Sequence, residues 1–212
     1  MAISSSAIDL PLVQAWLHAR SVGRELPLPV PDHGGLRVDT GQAQERIRYV
    51  FAEPVAGLAA LAARIEQPRV FLKLCGSARQ LAEHLPPRWQ LQPMRWVMQS
   101  RSAAPPCCTL PAGYRMERSA QGPVWTVAIL CGGDVAASGY AIAAAGVFVY
   151  DRIAVAPAHR RRGLGRCLMQ ALGSACRTPD QQILVATDEG RALYRALGWQ
   201  ALSPFATAVI PG

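Results

Sequence analysis

Residues 147–166 read VFVYDRIAVAPAHRRRGLGR. An apolar, β-branched run ends at Val155, Pro157 breaks it, and three arginines lead into Gly163-Leu164-Gly165-Arg166. Beyond the glycines, Leu164, Leu168, Ala171, Leu172 and Ala175 recur at helical spacing. A strand that feeds a tight basic glycine loop opening a helix is suited to hold a phosphate on main-chain N–H groups. Glycine lets an anion approach the backbone without a Cβ in the way. The first-turn N–H groups have no partner within the helix, and its dipole adds partial positive charge. Arginine side chains can grip phosphate oxygens from the rim. An isolated G-x-G would read better as a charged turn with a glycine cap; here strand, proline, arginines and helix agree.

The chain has 212 residues, enough for one large domain or two small ones. Half of it is hydrophobic and 17% is charged, which describes a folded globule and excludes a disordered chain. The net charge of +8 comes almost wholly from arginine, since Lys73 is the only lysine. The cations concentrate at 159–166, favouring one local anionic partner over a broad nucleic-acid face. Six cysteines, at 75, 107, 108, 131, 167 and 176, show no metal spacing and read as reduced thiols of a cytoplasmic protein. The opening MAISSSAIDLPLVQAW lacks a basic signal-peptide region, and no apolar stretch has membrane-spanning length, so no membrane partner is expected.

The periodicities predict helices over 9–20, 54–66 and 77–85 and strands over 46–52, 69–74 and 94–99 in the first half. Residues 23–35 read as a loop, and 101–113, rich in proline, as a linker. The linker divides a half at 1–100 from a half at 114–212. The second half reads as a strand at 114–118, a hairpin of 124–131 and 135–142, a strand at 147–155, a helix at 163–177, a strand at 182–187, a helix at 189–197 and a last strand at 204–210. This order gives an α/β (α+β) fold: helices over a mixed, mainly antiparallel sheet. Aligning 50–91 with 153–202 sets Pro54 on Pro157, Val70 on Ile183 and Trp89 on Trp199. Either the halves are related, the first having lost its glycine loop, or two β-α-β-α-β segments match by chance.

The loop resembles the acetyl-CoA loop of the GNAT family of N-acetyltransferases, whose signature is Gln/Arg-x-x-Gly-x-Gly/Ala. Arg160, Gly163 and Gly165 occupy its fixed places, and a second family block follows as LVATDEGRALYRALGW at 184–199. The resemblance covers about 113–210. It implies an N-acetyltransferase that moves an acetyl group from acetyl-CoA, with CoA as product, to the primary amine of a small molecule or protein by direct attack. No metal is implied. The resemblance further implies that the main chain of Ile153, Ala154 and Val155 bonds the pantetheine arm along a free strand edge, where 147–155 splays from 182–187. The pyrophosphate would lie on the loop formed by Arg160, Arg161, Arg162, Gly163, Leu164, Gly165 and Arg166.

Tyr194 stands where family members place the acid that protonates the departing thiolate, and a phenol can serve at neutral pH; it could equally be a packed core tyrosine. Asp151 lies on the strand that often carries the family's base. By strict alternation it shares a face with Val149, Ile153 and Val155, and it serves either as a base or as an ion-pair partner. Asp188 occupies a pantetheine-contacting position or caps the following helix. The strand-end amide near Ile153 is the implied oxyanion donor. His159 is expected to face solvent or phosphate, and Cys167 to pack. Asp32-His33-Gly34-Gly35 either lines the acceptor pocket or makes a glycine turn. Two alternatives remain on sequence alone: a non-catalytic acyl-CoA sensor on the same fold, and a nucleic-acid binder using the arginine cluster.

Overall fold

The computed structural model describes residues 8–100, 108–176 and 181–212. Helix α1 (Leu10–Val22) is followed by β1 (Val30–Asp32), β2 (Gly35–Gln42), β3 (Glu45–Phe51), α2 (Ala56–Arg64), β4 (Val70–Leu74), α3 (Ala78–Ala82), β5 (Gln90–Leu91) and β6 (Arg95–Ser100). The second half carries β7 (Tyr114–Gln121), β8 (Val124–Cys131), β9 (Asp134–Ala144), β10 (Val147–Val155), α4 (Leu164–Gly173), β11 (Gln181–Thr187), α5 (Asp188–Ala196) and β12 (Gln200–Val209). The strands join one sheet in the order β1-β2-β3-β4-β12-β6-β11-β10-β9-β8-β7, with β5 beside β12. Among the described strands only β3–β4 and β10–β11 run parallel, each joined through a helix. The architecture is the mixed, mainly antiparallel sheet with flanking helices expected from the sequence.

Each half runs through an antiparallel strand pair, a helix, a parallel strand, a helix and a final strand. The final strands exchange: β6 pairs with β11 of the other half, β12 pairs with β4, and the two pair with each other at the centre. Neither half completes its sheet alone.

Alternation along the strands builds two faces. Val147 and Val149 join Trp16, Leu17, Leu36, Val50, Val97 and Phe205 beneath α1. Phe148 and Tyr150 face the other way, toward Leu168, Leu172 and Tyr194 of α4 and α5. Tyr49, Phe51, Leu72 and Leu74 likewise meet Leu58 and Leu61 of α2. Among the described helices, α1 thus lies alone on one face and reaches both halves, contacting β3, β9 and β10. It starts where Asp9 accepts a hydrogen bond from the Leu12 N–H at 2.9 Å, with Pro11 in its first turn.

Several expectations need correction. The stretch 23–35, read as a loop, holds β1 and the first residue of β2. Asp32 pairs with Gly35 across a two-residue hairpin whose centre, His33 and Gly34, has φ of 51° and 80°. The Asp32-His33-Gly34-Gly35 stretch is therefore a glycine turn. Strand β12 begins at 200 rather than 204, because β6 offers a partner from Gln200 to Phe205. Helix α3 is only five residues long, closed by a Ser77–Gln80 capping box. Cys108 and Cys167 form a disulfide, so the reading of six reduced thiols fails at these two; their Cα atoms lie 5.1 Å apart. Cys107, residues 101–107 of the linker and the end of the helix predicted to 177 fall outside the described residues. None of the described helices is long and apolar enough to cross a membrane.

Candidate active site

The site begins with a bulge in β10. Asp151 pairs with Tyr140 and Ala154 with Ser138, so the register slips between them, and Arg152 takes a left-handed φ of 54°. The bulge reverses the alternation. Val149 lies under α1, whereas Ile153 and Val155 pack toward α4. Asp151 stays on the α1 side, so the expected common face with Ile153 and Val155 does not exist. Pairing of β10 with β11 ends at Tyr150 and Leu184, although β11 continues to Thr187 against β6. From Asp151 to Val155 the edge toward β11 carries none of the described strands.

This edge leads into the glycine loop. A single 3-10 turn spans Pro157–His159, and Gly163 caps α4 with φ of 78°. The main-chain N–H groups of Arg161, Arg162, Gly163, Leu164 and Gly165 donate to no described residue. The first helical bonds come from Arg166 and Cys167, both to the Gly163 carbonyl. Arg160, Arg161, Arg162 and Arg166 are exposed around these donors. A Cβ at Gly163 would meet open space, whereas one at Gly165 would come within 2.9 Å of Leu193 Cδ2. Gly163 therefore answers a backbone need, and Gly165 lets α4 approach α5. His159 is not turned to solvent: its Nδ1 lies 2.8 Å from the Tyr114 hydroxyl.

Tyr194 is buried on α5 beside Trp199, at 6.1 Å between ring centroids, and Trp199 in turn meets Tyr150 edge-on at 5.3 Å. Burial pushes its phenol up to about 12. Asp188 does not cap α5. Thr187 does, accepting from the Gly190 N–H at 3.1 Å, while the Asp188 carboxylate accepts from Trp96 Nε1 at 2.6 Å.

Asp151 sits in a cage of cations. Arg24 donates to both carboxylate oxygens, at 2.5 and 2.9 Å, and the Nε atoms of Arg20 and Arg152 stand 3.6 and 3.7 Å away. Burial pushes the carboxyl up, but the Arg24 hydrogen bonds and the three guanidinium charges outweigh it and hold it below its ordinary value.

Tyr194, Asp151, Ile153 and Asp188 line one cavity of about 890 Å³. Its wall also takes Trp16, Arg20, Arg24, Glu45, Phe71, Lys73 and Arg95 from the first half. The sequence reading missed these residues. The available signals were the lone lysine inside an apolar strand, VFLKL, and two arginines, Arg20 in the last turn of α1 and Arg24 just beyond its end. Among the described residues, no group of three or more His, Cys, Asp or Glu side chains is placed to hold a metal.

A mixed, mainly antiparallel sheet flanked by helices matches the GNAT fold of solved structures. Residues 121–201 match the acetyltransferase (GNAT) domain. Among solved structures, the chain is similar to a GCN5-related N-acetyltransferase from Kribbella flavida. The TM-score is 0.64 at 17% identity, over 92% of this chain and 93% of that one. A protein assigned to the GNAT family from Novosphingobium aromaticivorans aligns at a TM-score of 0.61 and 15% identity, over 96% and 99% of the two chains. A tandem GNAT protein from the clavulanic acid biosynthesis pathway aligns at 0.53 and 13%, over 84% and 79%. At these identities the likeness is one of fold. No curated protein sequence matches the chain.

Proposed function

We propose that this protein transfers an acetyl group from acetyl-CoA to an amine in a ternary complex. The observation that carries the reading is the open β10 edge from Asp151 to Val155, running directly into five undonated N–H groups ringed by exposed arginines. An extended amide-bearing arm can add to such an edge as a further strand, and a pyrophosphate can settle on the loop beyond it. Ile153, Ala154 and Val155 would hold the arm. Arg160 to Arg166 and Gly163 would hold the phosphates, and Asp188 would border the wedge.

Bound acetyl-CoA would supply a thioester carbonyl for attack by the amine. The Tyr194 hydroxyl keeps its proton through neutral pH and would give it to the departing sulfur. Asp151 is a poor proton acceptor while Arg24 occupies both its oxygens. We assign it to positioning the bulged strand, and the amine's proton to solvent water.

We also propose that the halves are related and that only the second binds CoA. An offset of 110 carries Gln90 to Gln200 and Gln99 to Val209, and the central pairs are Gln90–Val209 and Gln99–Gln200. The pairing is thus symmetric under exchange of the halves. The first half has two residues between Pro54 and Gly57, and no arginine–glycine loop.

Thermal shift with acetyl-CoA and thiol release against a panel of amines test the transfer reading. Stabilisation that grows with donor concentration and amine-dependent thiol release are expected. Absence of both overturns it.

A further inference from the structure

The inner wall of the cavity, with Arg48 buried behind it, holds more positive charge than its carboxylates balance. On the α1 side, Arg48 binds Glu45 through Nε at 3.0 Å and Nη2 at 2.5 Å, and Arg24 binds Asp151 at 2.5 and 2.9 Å. Each carboxylate is therefore already matched by one guanidinium. Two further cations are held against the same carboxylates: Lys73 Nζ at 2.8 Å from Glu45, and Arg20 Nε at 3.6 Å from Asp151. The Arg20 contact is too long for a hydrogen bond and leaves its donors unspent. Arg152, a further cation 3.7 Å from Asp151, spends Nη2 on the Gly23 carbonyl at 2.6 Å and lies over the Tyr140 ring. The exposed rim residues Arg95, Asp188 and Glu189 sit in water and do not correct the imbalance.

Four cations, Arg48 buried and the other three largely enclosed, against two carboxylates are a costly arrangement unless an anion completes it. The ionisation of the cluster agrees. Burial and then the Arg48 charge lower Lys73 to about 7 and Arg20 to about 9, with Glu45 and Asp151 opposing. The excess of positive charge that depresses these cations also holds Glu45 far below its ordinary value, against the effect of burial.

We infer that the acceptor is a small amine that also bears a carboxylate, with Arg20 and Lys73 taking the carboxylate and the amine directed to the opening beside β10. This rests on the acetyl-transfer reading and narrows it. Arg20 and Lys73 line the same cavity as Tyr194 and Ile153 but belong to α1 and β4 of the first half. An arginine and a lysine together suit a carboxylate: the guanidinium fork fixes its plane and the ammonium adds point charge. A polyamine or a lysine-rich protein tail would bring further positive charge to the cluster.

The test pairs acceptors that differ only in that charge. Glycine, alanine, glutamate, β-alanine, γ-aminobutyrate and ε-aminocaproate are each compared with the corresponding carboxamide, and spermidine serves as the polycation. Both KM with acetyl-CoA and the thermal shift without donor are measured. At least one carboxylate is expected to show a KM about tenfold or more below its amide, and a larger thermal shift. Arg20→Gln and Lys73→Met, on different elements, are each expected to bring that ratio toward one. Because the ratio is internal to each variant, a loss of stability does not move it.

Equal behaviour of carboxylates and amides across the series overturns the inference. So does a ratio kept in both variants, best turnover of spermidine, or no shift from any carboxylate at millimolar levels. If no amine releases thiol, the transfer reading falls, while the donor-free shifts still decide whether the cavity takes a carboxylate.

Discussion

Arg24 closes on Asp151 across 127 residues of sequence, with Nε 2.5 Å from Oδ2 and Nη2 2.9 Å from Oδ1. The pair ties the end of α1 to the bulge of β10, so an element of the first half fixes the strand along which the second half would hold its donor. It is an ion pair at the place where a catalytic carboxylate is expected. A fork-to-carboxylate pair this short and this enclosed leaves little freedom for proton transfer.

Asp151→Asn should therefore act mainly on stability. Removing one member of an enclosed ion pair leaves Arg20 and Arg24 uncompensated, at a cost of about 3 kcal/mol. The folded carboxyl titrates below its ordinary value, so its contribution is present above about pH 4 and lost as pH falls through the lower folded value. Melting curves against pH should show wild type losing its margin over Asp151→Asn in acid. A variant that keeps wild-type stability but loses the pH dependence of kcat would instead make Asp151 the base.

Tyr194→Phe should spare folding and acetyl-CoA affinity while lowering kcat roughly a hundredfold, the usual range for loss of a general acid. With the phenol at about 12, wild-type activity should show no loss from Tyr194 ionisation below about pH 10. Unchanged kcat in the phenylalanine variant, measured by thiol release, would return Tyr194 to a packing role beside Trp199.

The second half was the more legible because its chemistry is local. The strand, proline, arginines and glycines of 147–166 are consecutive, and Gly163 takes the left-handed conformation only a glycine accepts readily. The bulge at Arg152 was hidden, because strict alternation is the default for an apolar strand and nothing in YDRI marks the slip. The cation cluster was hidden for another reason. Arg20, Arg24, Glu45, Arg48 and Lys73 meet through the parallel pairing of β3 with β4 and the packing of α1 across β3, long-range contacts that no local pattern encodes. Asp188 shows a smaller failure of the same kind: both Thr187 and Asp188 suit a cap, and Trp96 from the other half takes the Asp188 carboxylate.

Lys73 should give the protein a stability that rises with pH near neutrality. Its folded value, about 7, lies below the 10.5 of a free lysine, so between these values the unfolded chain binds more protons and folding gains as pH rises. Arg20 titrates about two units higher and the Cys75 thiol, pushed up by burial to about 12, adds its opposite effect only above its ordinary 9. The window from about pH 7 to 9 therefore reports chiefly on Lys73 and its neighbours Glu45, Arg48 and Arg20. Melting temperatures should climb through this window in wild type and stay flat in Lys73→Met. A flat wild-type curve would mean that Glu45 keeps the ammonium charged.

The two loop glycines should separate when replaced by alanine. Gly163→Ala forces a Cβ onto a φ of 78°, a strain of roughly 1–2 kcal/mol, with no clash. Gly165→Ala keeps a helical backbone and needs only the end of Leu193 to move, so it should lower stability by less. For donor binding, Gly163→Glu should be worst, since it adds negative charge among the free amides; a loss of acetyl-CoA affinity of at least about tenfold is expected by calorimetry. Unaltered affinity in that variant would move the phosphate site away from the α4 N-terminus.

The Cys108–Cys167 bond anchors the second part of the linker to the first turns of α4, two residues past Gly165. It closes a span of 59 residues, for which chain-entropy arguments give up to about 4 kcal/mol. Peptide mapping under non-reducing conditions should recover the linked pair. Cys108→Ser should lower the melting temperature of the oxidised protein and leave the reduced protein near its wild-type value. Because Cys167 packs in the core that holds Leu164 and Leu168 against the sheet, reduction should also loosen the glycine loop, raising the dissociation constant for acetyl-CoA severalfold in wild type but not in Cys108→Ser. If reductant shifts neither melting nor donor affinity, the bond contributes nothing to the site.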